Sequence, residues 1–171
     1  MPADELISAA LRGDDPAWPS GGSALDAFLT RATLHGVEPL LYAQRRHADW
    51  PAAVLSRLRE RAVQRAMWEL RHQQVLTQTL SALNDHGIQP VLIKGTSLAY
   101  SLYADPALRT RGDTDLIIPI VAKQRVQEVL LRQGYQRHPS VSGEFISYQA
   151  SYTLATIDGH FHTLDVHWKI N

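Results

Sequence analysis

The chain has no cysteine among its 171 residues. This removes disulfide frameworks, thiolate metal sites and cysteine nucleophiles together. It also has no excess charge of either sign, with 17 Lys and Arg against 17 Asp and Glu. A whole-molecule field of the kind that draws a protein to duplex DNA is therefore absent, and any phosphate chemistry must be local. No run approaches the roughly twenty apolar residues of a membrane span, and the opening Met1-Pro2-Ala3-Asp4-Glu5 is acidic where a secretory leader would be basic. A cytoplasmic protein without membrane partners is the expectation. No internal repeat, low-complexity tract or Ser/Gly linker stands out.

What is present is a helical first half. Residues 3–12 read as a short helix, Ser23 as the N-cap of a second with Leu25, Phe28 and Leu29 on one stripe and Gly36 just past its end, and Glu38 to His47 as a third. From Pro51, apolar residues recur at three- and four-residue steps through Val54, Leu58, Leu76 and Leu83 until Gly87, which gives one long helix or two joined by a kink. Its opposite face carries Arg57, Arg59, Arg61, Arg65 and Arg71. A solvated charged face is the ordinary explanation, and a nucleic-acid contact surface the competing one.

After Gly87 the texture changes, and the one boundary expected lies there, dividing a helical region 1–86 from a core at 87–171. Gln89 to Ile93 reads as a strand, and Gly95-Thr96-Ser97 opens a helix ending near Tyr103. A polar loop through Asp105-Pro106 and Arg109 to Gly112 leads into a strand at Asp113 to Pro119, then a helix from about Val121 to Arg132. Two further strands, Phe145 to Ile157 and His160 to Trp168, flank Asp158-Gly159, a two-residue hairpin turn. This order is α+β. The stop at Ile170-Asn171, directly after a strand, suggests a fragment.

Side chains alternate across a strand, so Asp113 and Asp115 project from one face about one repeat apart. Hard carboxylate oxygens so placed suit Mg²⁺ or Mn²⁺, which bind through one or two carboxylates together with substrate phosphates. Phe161, Thr163, Asp165 and His167 likewise share a face, so a strand lying beside the Asp113 strand would bring Asp165 in as a third acid. Three acids on neighbouring strands can hold two cations for an in-line nucleotidyl displacement. Lys94, Gly95, Thr96 and Ser97 stand at a strand-to-helix junction, where free amides, hydroxyls and a charge can receive phosphate oxygens. Arg109 and Arg111 can reach a triphosphate, or one of them pairs with Asp105. His160, His162 and His167 raise a zinc reading, weakened because the first two fall on the face opposite Asp165 and no cysteine assists.

Lys94-Gly95, Leu98-Ala99, Tyr103, Asp105-Pro106, Arg109, Gly112-Asp113-x-Asp115-Leu116 and Asp165-Val166-His167-Trp168 together resemble the uncharacterised nucleotidyltransferase family of the DNA polymerase beta-like superfamily. That resemblance covers about residues 86–171. It implies a small mixed sheet with a glycine-opened helix, Asp113 and Asp115 as metal ligands and Asp165 as the third acid. It further implies a nucleoside triphosphate substrate and an acceptor, whether small molecule, peptide, protein or RNA, that the residues do not name. The alternatives are a non-catalytic module that binds nucleotide or a partner, and an RNA- or protein-modifying toxin–antitoxin component.

Overall fold

The computed structural model describes residues 1–19, 24–45, 49–138, 148–156 and 159–169. Ser23, His47, the 145–147 start of the predicted strand, Ile157, Asp158 and the last two residues lie outside them. The elements run α1 (Ala3–Leu11), α2 (Ala24–His35), α3 (Glu38–Arg45), α4 (Ala52–Asp85), β1 (Val91–Ile93), α5 (Lys94–Leu102), β2 (Asp113–Ile117), α6 (Lys123–Arg132), β3 (Gln136–Arg137), β4 (Gln149–Ala155) and β5 (Phe161–His167). The α+β class is as the sequence indicates, and the 52–85 periodicity forms one helix. No helix among the described residues is long and apolar enough to cross a membrane.

The chain divides into two compact units, Met1–Glu69 with Tyr103–Thr110, and Leu70–Leu102 with Arg111–Asn171. Residues 52–69 of α4 belong to the first and 70–85 to the second.

In the first unit, α1, α2, α3 and the start of α4 enclose Leu6, Phe28, Leu41, Val54 and Leu58, all buried. Trp18, Phe28 and Trp50 meet edge to face at 5.2–5.5 Å between centroids, so Trp50 is a packing anchor. Along α4, Arg57, Arg59 and Arg61 are exposed, and Arg57 pairs with Glu60. Gly36 ends α2 with a left-handed φ of +64°, letting its amide reach the Thr33 carbonyl and the Val37 amide the Ala32 carbonyl. A Cβ there would meet the Thr110 Cβ at 3.0 Å. Gly36→Ala is therefore expected to destabilise the protein by about 1–2 kcal/mol, from left-handed strain plus crowding. An unchanged denaturant midpoint would refute this.

In the second unit, Gly87 (φ +71°) stops α4 in the same way, the Ile88 amide returning to the Leu83 carbonyl, and sends the chain into β1. The sheet has five strands in the order β1-β2-β5-β4-β3. β2 and β5 are parallel, with Asp115 opposite Asp165, and the other pairings are antiparallel. One face carries Thr114, Leu116, Leu164, Val166, Ala150 and Tyr152 onto a core with Leu83, Val126, Val129 and Leu130. The other carries Asp113, Asp115, Thr163, Asp165, His167 and Ser151. The period-two alternation of β2 and β5 thus sorts apolar side chains from ligating ones.

A single 3₁₀ turn, Ile120–Ala122, precedes α6, which starts at Lys123 where a helix from about Val121 was expected. The β4–β5 hairpin ends with the Thr156 amide on the His160 carbonyl, and the turn expected at Asp158-Gly159 lies partly outside the described residues.

Candidate functional site

The parallel pairing of β2 with β5 brings the acidic strand and the Asp165 strand together. Ligand atoms of Asp115, Asp165 and His167 all lie within 4.8 Å of one another. Asp115 and His167 are buried and Asp165 half-buried. His167 Nε2 stands 2.8 Å from Asp115 Oδ1. Two carboxylates and an imidazole form a donor set that fits a divalent cation, the carboxylates suiting a hard ion and the imidazole a transition metal. Asp113 lies on the same face at the exposed start of β2, outside this close trio.

Sequence reasoning raised His167 only for a weak zinc reading and did not join it to Asp115 and Asp165 as a ligand of the same cation. The available signal was its spacing of two from Asp165 in a strand, which puts both on one face.

Lys94, the residue that opens α5, places its Nζ 2.6 Å from Asp115 Oδ1 and 3.4 Å from His167 Nε2. The hydrogen bond to Asp115 holds the Lys94 ammonium above the ordinary lysine pKa against partial desolvation, and the charges of Asp115, Asp165 and Asp113 add to this.

Thr96 is fully buried, and its hydroxyl donates to the Asp113 carbonyl at 3.2 Å, which locks the first turn of α5 to β2. Behind it runs a chain of hydrogen bonds with a single self-consistent direction. Arg111 can only donate, and it faces His72 Nδ1 at 3.4 Å, so that nitrogen is the acceptor and Nε2 carries the proton. His72 Nε2 then donates to Thr114 Oγ1 at 2.7 Å, and Thr114 to Thr96 Oγ1 at 3.3 Å. Thr96 passes its own proton to Asp113, while Arg111 Nε also donates to Thr96 Oγ1. The imidazole proton and both threonine hydroxyl protons of this chain thus each meet an acceptor, which holds the buried network in one arrangement.

Of the residues predicted for nucleotide binding, Lys94, Gly95, Thr96 and Ser97 are gathered at the start of α5 beside β2. Arg111 is buried and turned inward onto Thr96 and His72, with its guanidinium also over the Tyr100 ring. Arg109 belongs to the first unit, over the ring of Tyr103. Asp105 accepts from the Ala107 amide and caps a short 3₁₀ turn. His162 is buried on the core face of β5, with Nδ1 against the Tyr135 hydroxyl at 2.9 Å.

No curated protein and no solved structure matches the chain. A family model described as uncharacterised nucleotidyltransferase matches residues 22–171, so the match extends well beyond 86–171 and takes in the helices that carry no recognisable motif. The sheet, the glycine-containing α5 junction and the acidic face sit within the matched span, and the chain belongs to this uncharacterised nucleotidyltransferase family.

Proposed function

We propose that the chain is a metal-dependent enzyme that moves a nucleoside monophosphate from a nucleoside triphosphate onto an acceptor. The observation that carries this reading is the convergence of Asp115, Asp165 and His167 on one sheet face, next to the start of α5. Asp113, one strand repeat from Asp115, extends the cluster toward solvent, where a second cation carried in with the triphosphate would bind.

Bound divalent cations supply charge neutralisation on the phosphate oxygens and ease ionisation of the attacking hydroxyl. The chain's own residues do the rest. Amides at the start of α5, around Gly95 and Ser97, receive phosphate oxygens, with Thr96 bracing that turn against β2. Asp165 orients an acceptor hydroxyl and takes its proton as the hydroxyl oxygen bonds to the α-phosphorus. The bond from the α-phosphorus to the bridging oxygen breaks, and pyrophosphate leaves.

A thermal-shift panel of the four ribonucleoside triphosphates, each with and without Mg²⁺, tests the reading. At a hundredfold excess over Kd a ligand adds about 2.7 kcal/mol, which for a chain of this size is a rise of about 5–10 °C. A magnesium-dependent rise with one nucleotide is the expected outcome. A panel that stays flat at millimolar nucleotide and Mg²⁺ would refute nucleotide binding at this face. The Lys94–Asp115 pair already neutralises one acid and so favours a second reading, a nucleotide-binding module without turnover. That reading predicts a shift indifferent to Mg²⁺.

A further inference from the structure

Lys94 has φ +53°, the one non-glycine residue with positive φ among those described. Left-handed backbone costs an L-residue about 1–2 kcal/mol, and glycine, which adopts it freely, stands one position further on. From this position the side chain crosses to the acidic face. Its Nζ contacts Asp115 Oδ1 at 2.6 Å and His167 Nε2 at 3.4 Å, two of the three convergent ligand groups.

An ammonium so placed and a divalent cation exclude one another. Nζ already lies 2.6 Å from Asp115 Oδ1, so a divalent cation held by that oxygen would share its immediate surroundings, and repulsion between two cations in a half-buried site is strong. The Lys94 side chain is 57% exposed while that of Asp115 is 6% exposed. The lysine can therefore swing away on its flexible stem and the carboxylate cannot.

We infer that Lys94 is a tethered counter-ion that occupies the cation position of the nucleotide-free protein and is displaced by metal together with a nucleoside triphosphate, its ammonium passing to the polyphosphate. This rests on the metal-site reading given under Proposed function. Metal alone must break the Lys94–Asp115 pair and leave the ammonium beside a new cation. Metal with triphosphate supplies anionic oxygens to receive it. Metal and nucleotide then bind with mutual reinforcement, and the coupling is reciprocal.

The test is a Mn²⁺ titration of the full chain without nucleotide, followed by the free-ion paramagnetic resonance signal, on wild type, Lys94→Gly and Lys94→Met. The glycine variant relieves the left-handed strain and so should fold at least as well. The methionine variant keeps the stem and loses the charge. Mn²⁺ affinity is expected to rise about tenfold in both, within the usual range of site-to-site coupling. The tightening of Mn²⁺ that ATP, GTP, CTP or UTP produces in wild type should shrink in proportion. Affinity unchanged or lower in both variants, with wild type still binding Mn²⁺, would overturn the counter-ion role and leave the metal site standing. Absence of millimolar binding by all three chains would overturn both.

Discussion

Asp165→Asn is expected to lower transfer of label from a radiolabelled nucleoside triphosphate by about a thousandfold. A cation that neutralises charge in the transition state contributes several kcal/mol, and each 1.36 kcal/mol is about a factor of ten in rate. Asparagine keeps the volume of the side chain and leaves the Lys94–Asp115 pair in place, so the loss falls on chemistry and not on folding. Asp115→Asn should be as severe and should also release Lys94. Asp113→Asn separates the two cation positions. It should retain Mn²⁺ binding without nucleotide at Asp115, Asp165 and His167, and lose the magnesium-dependent nucleotide shift. Retention of more than a tenth of wild-type transfer by Asp165→Asn would remove that residue from the reaction.

Stability is expected to fall by about 3 kcal/mol through His162 as pH drops from about 6.5 to about 4. Burial pushes this imidazole down from 6.5 to about 4, and each pKa unit is worth about 1.4 kcal/mol. The surrounding bonds fix its tautomer. Thr79 Oγ1 donates to the Val75 carbonyl and so must accept from Tyr135, whose phenol burial pushes up to about 12 and thereby keeps protonated. The Tyr135 oxygen then accepts from His162 Nδ1, leaving Nε2 as a buried lone pair with no hydrogen-bond partner among the described residues. Protonation would put an N–H there with no acceptor among them. In the depressed-pKa direction the unfolded chain takes up the proton first, so the stability is fully present above pH 6.5 and is lost toward pH 4. His162→Gln, which can still bond Tyr135, should flatten that part of the profile. Identical slopes in the two proteins would refute the assignment.

Local signals in the sequence were sufficient for the elements that end in Gly36 and Gly87 and for the sorting of β2 and β5 into two faces, because capping and alternation act over a few residues. They singled out Asp113, Asp115 and Asp165 as candidates but not the neighbour of each strand, since strand pairing across α6, β3 and β4 leaves no mark in either segment. β3, with two residues, is too short to show a pattern. The role of Lys94 was hidden for a different reason. A lysine before a glycine reads as a phosphate contact, and only the left-handed backbone at that residue turns it onto Asp115. Arg111 likewise read as a loop cation until its burial against His72 and Thr96.

The parallel junction of β2 with β5 also sets an order of events. His167 and Asp115 are 52 positions apart in the chain, whereas β4 and β5 are joined by a short loop and can pair early. The hairpin should therefore form first and dock onto β2 late, so that the acidic face is completed by one of the last long-range contacts of folding. A chain still collapsing would hold its carboxylates scattered, and the metal binding proposed above would appear only with the native state, so that its onset would serve as a clock for folding.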